Sequence, residues 1–395
     1  MIIKPKFRDF ICVTAHPEGC KENVLEQINY AEKCKSPNRF KKVLIIGAST
    51  GYGLSSRIVS AFGYKASTIG IVFEKQASRN RTATAGWYNT AAFEEKALEK
   101  GYYSRTINGD AFSKEIKQKT INLIKKDLGK VDLVIYSIAS PRRKDPATGK
   151  TYYSFLKPVG KAYKNKTVNF HTFEVSNIEI QPATDDEINQ TVNVMGGQDW
   201  KLWIDELVEA DVLSKGVTTI AYSYIGPEIT YPIYRQGTIG KAKEDLEEAS
   251  LQLDNKLKRI NGKAFVSVNK ALVTQSSSAI PVVPLYVSVL DKVMKQKGID
   301  ESCIEQIDRL FSKISKDDFE LDEANRIRLD DMEMREDVQE EVRDTWNKIT
   351  TENIKELTNI ESFRKDFFKL FGFEHKNINY EKDTHAEVNI TNIIE

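Results

Sequence analysis

Lys42-Val-Leu-Ile-Ile-Gly47-Ala-Ser-Thr-Gly51-Tyr-Gly53 is an apolar run that ends in three glycines spaced G-x-x-x-G-x-G. The first glycine of such a pattern allows a sharp turn out of a strand, the second lets the backbone approach a pyrophosphate, and the third lets the following helix pack closely. The amides at the start of that helix would face the anion. The stretch therefore predicts a strand, a turn and a helix that bind a dinucleotide.

The residues that follow supply the context that the glycine pattern requires. Residues 54–62 are predicted to form a helix, and residues 68–73 a second apolar strand that ends at Glu74. A carboxylate there accepts hydrogen bonds from the adenosine ribose and repels a 2′-phosphate, which favours NADH over NADPH. Three basic residues nearby weaken that discrimination: Lys75, Arg79 and Arg81. The alternative is a glycine turn that binds nothing. Such a turn would not need a preceding strand, a following helix and an acidic residue at position 74 together.

Strands and helices alternate after residue 40, which is typical of an α/β fold with a doubly wound, Rossmann-like parallel sheet. Further along, helices are predicted at 88–100 and 113–128, and strands at 131–136, 217–224 and 264–268. Ligands of such sheets lie at the carboxyl ends of the strands, so residues 137–141 should border the cofactor. The segment 108–111 would either meet the adenine ring or form a plain Asn-Gly turn.

The 395 residues exceed an average domain, but α/β folds with insertions reach this length, so we expect one elaborated domain. Its expected parts are an N-terminal extension (1–40), a core (41–300) with an irregular insert (142–184), and a C-terminal helical cap (301–395). The insert is either a lid or a bland surface excursion. An aromatic stripe in the cap is expected to be core packing: Phe363, Phe367, Phe368 and Phe371.

Composition excludes several classes of function. The 58 basic and 57 acidic residues nearly cancel, so no global field would gather nucleic acid or an anionic membrane. Four widely spaced cysteines suggest reduced thiols in a cytoplasmic protein and predict no metal site; they are Cys12, Cys20, Cys34 and Cys303. We expect no secretory signal, because Met1-Ile-Ile-Lys-Pro5 breaks at once into charge and proline. We expect no membrane span, because the longest apolar stretch, 279–290, is short and contains two prolines.

Tyrosines and lysines cluster between the last two predicted strands, from Tyr222 to Lys243. In short-chain dehydrogenases a tyrosine donates a proton, and a lysine binds the nicotinamide ribose and lowers the tyrosine pKa. Those enzymes use Y-x-x-x-K on one helix face. The pair Tyr153 and Lys157 has this spacing, but it lies in the irregular insert and runs into Pro158, so we reject it.

Tyr234 and Lys243 are nine residues apart, and nine residues turn a helix by about 900°, which would place the two side chains on opposite faces. Tyr234 must therefore precede a helix that begins near Ile239, with Thr238 as its N-cap and Lys243 in its first turns. Both side chains would then point at one nicotinamide. The alternatives are a tyrosine at the core edge and a lysine on a solvated helix face.

The chain resembles the trans-2-enoyl-thioester reductases that act as single, enlarged short-chain-dehydrogenase-like chains. The resemblance runs nearly end to end, and the Y-x8-K spacing separates this family from its smaller relatives. The matching motifs are Ala15-His-Pro-x-Gly-Cys20, Gly47-Ala-Ser-Thr-Gly-Tyr-Gly53, Ala85-Gly-Trp-Tyr-Asn89, Gly109-Asp-Ala-Phe112, Tyr136-Ser-Ile-Ala-Ser-Pro141, Met195-Gly-Gly-x-Asp-Trp200, the Tyr222 to Lys243 block, and Ser267-Val-Asn-Lys-Ala-Leu-Val-Thr274.

The resemblance implies particular site residues. The implied NAD contacts are Gly47, Ala48, Ser49, Thr50, Gly51, Tyr52, Phe73, Glu74, Asp110, Ala111, Ile138, Ala139, Lys243, Leu272, Val273 and Thr274. Tyr224 would bind the thioester, and Tyr234 would donate the proton. Family descriptions sometimes label the C-terminal segment as flavin-binding, but it carries no glycine fingerprint, so we expect NADH and no flavin.

The implied activity is the NADH-dependent reduction of the C2–C3 double bond of a trans-2-enoyl thioester such as crotonyl-CoA, in fatty acid metabolism. The resemblance favours coenzyme A over acyl carrier protein as the carrier, and a monomer. An enoyl-acyl-carrier-protein reductase remains an alternative, as does a ketone or alcohol dehydrogenase. A noncatalytic NAD sensor would have no need of the tyrosine cluster. Residues 280–286 would line the acyl channel or form ordinary core.

Overall fold

Parallel strands form the centre of the protein in the computed structural model, which describes residues 1–8, 11–34, 39–79, 81–317 and 319–394. The strands of this part are β1 (Phe7–Arg8), β2 (Ile11–Cys12), β3 (Lys42–Ile46), β4 (Ser67–Val72), β5 (Ser104–Asn108), β6 (Val131–Tyr136), β7 (Arg142–Lys144), β8 (Thr151–Tyr153), β9 (Tyr163–Asn169), β10 (Glu174–Ile180), β11 (Leu213–Ser223), β12 (Lys263–Val268), β13 (Arg326–Arg328) and β14 (Ile393–Ile394).

Helices connect most of these strands. They are α1 (Pro17–Ala31), α2 (Gly51–Ile58), α3 (Ala85–Glu99), α4 (Lys114–Leu123), α5 (Asp185–Met195), α6 (Gln198–Glu209), α7 (Thr238–Leu257), α8 (Gln275–Ser278), α9 (Val283–Gln296), α10 (Cys303–Lys316), α11 (Glu336–Lys348), α12 (Ile354–Leu357) and α13 (Ile360–Lys369). Short π-helical turns, Val59–Gly63 and Ile124–Leu128, continue α2 and α4.

The order of the strands in the central sheet is β13-β12-β11-β6-β3-β4-β5-β14, and every neighbouring pair is parallel. The chain runs outward from β3 to β4 and β5, then returns to β6 on the other side of β3. This reversal is the topological switch point at which doubly wound sheets bind their ligands. The prediction of a Rossmann-like α/β fold is confirmed.

The two faces of the sheet pack against different helices. Val43 and Ile45 of β3 belong to a buried cluster that includes side chains of α1, α2 and α10. Leu44 and Ile46 alternate with them and belong to a second cluster with side chains of α4, α6 and α7. Because successive side chains of a strand point to opposite faces, the continuous apolar run of β3 is what a strand buried on both sides requires.

The insert is more regular than its sequence indicates. Residues 142–184, predicted to be irregular, form two antiparallel hairpins, β7–β8 and β9–β10. These are two-stranded ribbons whose side chains are mostly exposed or half-buried. Backbone hydrogen bonds hold such ribbons, so their sequences carry little of the hydrophobic alternation by which a strand is predicted.

The C-terminal segment is not only the helical cap that was predicted. Its β13 and β14 form the two edges of the central sheet, beside β12 and β5. Strands of three and two residues are too short to show a periodic pattern, which is why the prediction missed them. The aromatic stripe of α13 is core packing, as expected: the rings of Phe363 and Phe367 lie 5.4 and 4.9 Å from Phe170 of the insert.

Within the described ranges, none of the helices combines the length and the apolar character that crossing a membrane requires.

A buried ion pair generates a test of the core. Arg57 of α2 and Glu94 of α3 are both fully buried, and Nη2 of Arg57 donates to Oε1 of Glu94 at 2.6 Å. Replacement of Glu94 by Ala leaves the guanidinium as an uncompensated buried charge. We expect it to lower the free energy of unfolding, measured by urea denaturation, by about 3–5 kcal/mol.

The adjacent residue of α3 provides a matched control. Glu95 pairs with Lys21 at 2.7 Å, but both side chains are more than 40% exposed. Glu95→Ala should therefore cost at most about 1 kcal/mol. Equal losses in the two variants would contradict the idea that the buried pair is a main link between α2 and α3.

Candidate active site

The glycine turn after β3 lies against the end of β6. Gly47 has φ +88°, and a Cβ built on it would lie 2.0 Å from the carbonyl oxygen of Ser137. A Cβ on Gly53 would lie 1.8 Å from the carbonyl oxygen of Gly47. Only glycine permits these two contacts, so the turn is tight and the first turn of α2 packs directly on it.

The predicted cofactor contacts lie at one edge of the sheet. They follow the carboxyl ends of β3, β4, β5, β6 and β12, at residues 47–52, 73–74, 110–111, 138–139 and 272–274. The last of these segments reaches the glycine turn, because Cγ2 of Thr274 lies 4.0 Å from the position of a Cβ on Gly51. The structure thus brings the segments together, and their contacts with a nucleotide remain a prediction.

The carboxylate of Glu74 is held by two hydroxyls. Oγ of Ser49 donates to Oε1 at 2.6 Å, and the hydroxyl of Thr84 donates to Oε2. Burial raises the pKa of Glu74, and these two hydrogen bonds oppose that rise. The backbone amide of Glu74 also donates to Oδ1 of Asn108 at 2.9 Å. The carboxylate of Glu74, which is predicted to bind the ribose, therefore has a fixed orientation. No pattern in the sequence identified Thr84 as one of its partners.

A buried lysine supports the segment predicted to meet the adenine. Nζ of Lys117 donates to the carbonyl of Ala111 at 3.0 Å and pairs with Asp199 at 2.9 Å. Nε1 of Trp203 donates to the same carbonyl at 3.1 Å. Asp110 accepts a hydrogen bond from the amide of Phe112 at 3.0 Å. The segment is therefore more than a plain Asn-Gly turn, since side chains of α4 and α6 hold its backbone.

The predicted catalytic residues meet at the end of β11. Tyr224 directly follows that strand, Tyr234 lies in the turns before α7, and their rings make an edge-to-face contact with centroids 4.8 Å apart. Lys243 lies in the second turn of α7, and its Nζ donates to the carbonyl of Tyr222 at 3.1 Å. The prediction that Tyr234 precedes the helix is confirmed.

The helix begins one residue earlier than predicted, and its cap is different. Gly237 is the N-cap and Thr238 is the first helical residue. The hydroxyl of Thr238 donates to the carbonyl of Phe155, and its amide donates to the carbonyl of Lys157 at 3.0 Å. The prediction of Thr238 as the N-cap was wrong because the insert, which is remote in sequence, recruits this side chain.

Burial changes the proton affinities of the three side chains. It raises the pKa of Tyr234 and of Tyr224. Both hydroxyls therefore stay protonated and can donate hydrogen bonds. Burial lowers the pKa of Lys243 to about 8, against the opposing effect of Glu247.

Sequence reasoning missed Glu333, which contacts this group of side chains. Its carboxylate is fully buried, and Oε1 lies 2.9 Å from the hydroxyl oxygen of Tyr224 and 2.7 Å from that of Tyr286. In the sequence, Glu333 lies in the acidic run Asp330-Asp-Met-Glu-Met-Arg-Glu-Asp337, which reads as a solvated surface. Only the tertiary fold reveals its position.

The segment predicted to line an acyl channel lies beside the tyrosines. Ile280 and Val283 are buried in a cluster against which Tyr224 and Tyr234 pack. The segment, residues 280–286, includes the first turn of α9, and its last residue, Tyr286, contacts Glu333. Its role in binding an acyl chain remains a prediction.

Comparison with known proteins assigns the family. A family model described as the trans-2-enoyl-CoA reductase catalytic region matches residues 81–314. The NAD(P)H binding domain of trans-2-enoyl-CoA reductase matches residues 2–79, which include the glycine turn and Glu74. The chain belongs to the trans-2-enoyl-CoA reductase family.

Individual members of this family are similar over the whole chain. The NADH-dependent trans-2-enoyl-CoA reductase of Ruminiclostridium cellulolyticum is 58% identical over 99% of both chains. The NADH-dependent enoyl-acyl-carrier-protein reductase of Cytophaga hutchinsonii is 54% identical over 100% of both. Treponema denticola trans-2-enoyl-CoA reductase, whose crystal structure in complex with NAD is known, is 49% identical in sequence. The match covers 99% of this chain and 100% of the Treponema chain, and the two structures superpose with a TM-score of 0.95.

A third family model, described as an enoyl reductase FAD binding domain, matches residues 321–384. Residues 321–384 of this trans-2-enoyl-CoA reductase family member do not fit a flavin site. The segment has a single glycine, Gly372. A Cβ added to it would lie 2.3 Å from the carbonyl oxygen of His16, so this glycine permits close packing against the start of α1. The aromatic side chains of α13 are buried in the core.

The glycine turn generates a test of cofactor binding. Gly47→Ala places a methyl group against the backbone of Ser137, which must displace the turn. We expect it to weaken NADH binding at least about tenfold, because pyrophosphate binding depends on close approach of this backbone. Fluorescence titration with NADH measures this affinity.

Gly129 is the matched control. It has φ +74°, so Ala has a similar backbone cost there, but nothing lies within 4 Å of an added Cβ. Gly129→Ala should bind NADH as the wild type does. Unchanged affinity in a folded Gly47→Ala variant would contradict the assignment of the turn.

Proposed function

We propose that this protein reduces the C2–C3 double bond of trans-2-enoyl thioesters such as crotonyl-CoA to the saturated acyl thioester, with NADH as the reductant. The observation that carries the proposal is the placement of Tyr224, Tyr234 and Lys243 at the same sheet edge as the glycine turn. Family membership and the names of the relatives support the same reaction.

The segments at the sheet edge are the proposed cofactor site. Residues 47–52 would hold the pyrophosphate, since amides at the start of α2 favour an anion. Glu74 would accept hydrogen bonds from the adenosine ribose, and Asp110 and Ala111 would border the adenine. The nicotinamide end would lie against Ile138, Ala139, Lys243 and residues 272–274, while Phe73, 73% exposed, would flank the nucleotide. Bound NADH supplies the hydride for C3 of the substrate.

The two tyrosines would act on the developing negative charge. As C3 is reduced, charge builds on the thioester oxygen, and hydrogen-bond donors aimed at that oxygen stabilise the transition state. Tyr224 would bind the oxygen, and Tyr234 would donate the proton. The raised pKa of both residues suits donors that must remain protonated. Lys243 would orient the nicotinamide ribose.

The carrier of the acyl chain is proposed to be coenzyme A. Relatives named for this carrier are 54–58% identical, and relatives named for acyl carrier protein are 54–56% identical; the family models that match the chain are described for the CoA enzyme. These values are close, and both carriers present phosphopantetheine, so an enoyl-acyl-carrier-protein reductase of fatty acid synthesis is the second candidate. The relatives' names give no support to a ketone or alcohol dehydrogenase.

We also propose that residues 1–395 form one domain, that the protein is a monomer, and that it is cytoplasmic. The buried cluster around α9 supports one domain, because it joins N-terminal, insert and C-terminal side chains. All four cysteines are free thiols, as expected in a reducing compartment. Light scattering after size-exclusion chromatography would measure the mass, which is 44.9 kDa for one chain.

Replacement of the proton donor tests the function. Purified protein should oxidise NADH with crotonyl-CoA, and Tyr234→Phe should lower turnover by about 10²–10⁴-fold, the range typical of general acid catalysis. Crotonyl-acyl-carrier-protein in parallel assays distinguishes the two carriers.

Tyr231→Phe is the control, because it removes a hydroxyl from the same turn and should leave turnover near that of the wild type. Full activity of Tyr234→Phe would eliminate Tyr234 as the donor. No NADH oxidation by the wild type with either thioester would refute the proposed reaction.

The pKa of Lys243 generates a pH dependence. Its ammonium charge is present below about pH 8 and is lost as the pH rises through that value. We therefore expect kcat/KM for NADH, which reports groups of the free enzyme, to decline above about pH 8. Lys243→Met should have a low kcat/KM that lacks this decline. The same decline in both proteins would show that another group causes it.

A further inference from the structure

The carboxyl group of Glu333 joins two tyrosines that come from different parts of the chain. Tyr224 follows β11, Tyr286 lies on α9, and Glu333 lies between β13 and α11. Both hydroxyl oxygens lie within hydrogen-bond distance of the same oxygen, Oε1, at 2.9 and 2.7 Å. The other oxygen, Oε2, accepts a hydrogen bond from the backbone amide of Ala271 at 2.7 Å.

Gln339 fixes the direction of one of these hydrogen bonds. Its Nε2 donates to the carbonyl of Glu333 at 2.7 Å and to the hydroxyl oxygen of Tyr286 at 3.2 Å. The Tyr286 oxygen accepts from Gln339, and its own hydrogen is donated to Oε1 of Glu333. The backbone amide occupies Oε2, so a proton carried by the carboxyl group would reside on Oε1 and point at Tyr224.

The charged groups around Glu333 are already paired. Lys270, which follows β12, has its Nζ 2.7 Å from Asp300. Asp330, which follows β13, pairs with Arg328 at 2.7 Å. Burial raises the pKa of Glu333 and Asp330 adds to that rise, while the hydrogen bonds from Tyr286 and Ala271 and the charge of Lys270 oppose it. Because burial is the largest of these effects, the pKa of the carboxyl group lies above its ordinary value, in the direction of the neutral acid.

The protonation state of Glu333 decides what Tyr224 can do. An ionised carboxylate only accepts hydrogen bonds, so the Tyr224 hydroxyl must donate to it and presents lone pairs to its other neighbours. A neutral acid donates from Oε1 to the Tyr224 oxygen, and the Tyr224 hydrogen is then free to point elsewhere. Neutral buried carboxylic acids are known donors in sites that stabilise an oxyanion.

We propose that Glu333 is a positioning residue which acts as a neutral acid and donates to Tyr224, so that the hydroxyl hydrogen of Tyr224 is directed at the thioester oxygen of the substrate. This inference rests on the proposed function, in which Tyr224 binds that oxygen. It makes the segment between β13 and α11 a functional part of the reductase.

Two substitutions separate a neutral donor from an anion. Glu333→Gln keeps an uncharged donor of the same shape: its Oε1 can accept from Ala271, and its Nε2 can donate to the hydroxyl oxygens of both Tyr224 and Tyr286, whose own hydrogen then turns away from residue 333. We expect kcat with crotonyl-CoA within about threefold of the wild type, with no loss as the pH rises. Glu333→Leu keeps the volume but leaves the Tyr224 hydrogen undirected, and we expect kcat to fall by at least about tenfold, and by up to about 10²–10³-fold, the cost of removing one oxyanion donor, with a smaller change in KM.

A loss of kcat in Glu333→Gln as large as in Glu333→Leu would overturn the proposal, because it would mean that the carboxylate anion is needed. Full kcat in Glu333→Leu would overturn it as well. A double-mutant cycle adds a readout specific to Tyr224: in a Tyr224→Phe background, Glu333→Leu should cause no further loss of kcat. A full further loss there would mean that Glu333 acts independently of Tyr224.

Infrared spectroscopy tests the proposal without activity, and so remains decisive if Glu333→Leu fails to fold. The wild type at neutral pH should show the carbonyl band of a protonated carboxyl group that is missing from Glu333→Gln. A carboxylate band in its place would contradict the neutral acid. Absence of NADH oxidation by the wild type would refute the proposed reaction and leave this spectroscopic result intact.

Discussion

The close approach of Gly47 to the carbonyl of Ser137 is the contact on which the active-site edge depends. It places the glycine turn that follows β3 against the end of β6, at the point where the strand order reverses. Because all strands of the central sheet are parallel, the loops after β3, β4, β5, β6, β11 and β12 emerge on this one edge. A side chain at residue 47 would force the turn after β3 and the loop after β6 apart, so the placement of the predicted cofactor segments after these two strands depends on a contact that only glycine permits.

The tyrosines are held by segments that lie outside the central α/β core. The insert binds both the hydroxyl and the amide of Thr238, at the start of the helix that carries Lys243. The C-terminal segment supplies Glu333 beside Tyr224, and the strand β13 that completes one edge of the sheet. Smaller short-chain dehydrogenases place tyrosine and lysine on one helix, where the helix itself fixes their spacing. Here the tyrosines lie in irregular chain before the helix, and packing from the insert and the C-terminal segment replaces that constraint.

Local sequence was sufficient to predict the features that depend on local physics. The glycine turn, the buried strand β3 and the position of Tyr234 before α7 all follow from spacing, polarity and helix geometry within short stretches. Features that depend on distant partners were not predictable in this way. Glu333 lies in an acidic run, Lys117 on an amphipathic helix, and β13 and β14 are too short for a pattern. The cap of α7 was mispredicted for the same reason, because the partners of Thr238 are more than 80 residues away.

Isotope labelling of the product distinguishes reduction of the C2–C3 double bond from reduction of a carbonyl group. The protein is incubated with crotonyl-CoA and NADH that carries deuterium in the transferable position of the nicotinamide, and the butyryl-CoA is analysed by NMR. The account predicts deuterium from NADH at C3 and, in a parallel reaction in D₂O with unlabelled NADH, solvent deuterium at C2. Deuterium from NADH at the thioester carbon, with an aldehyde or alcohol as the product, would show that the tyrosine pair serves carbonyl reduction and would contradict the account.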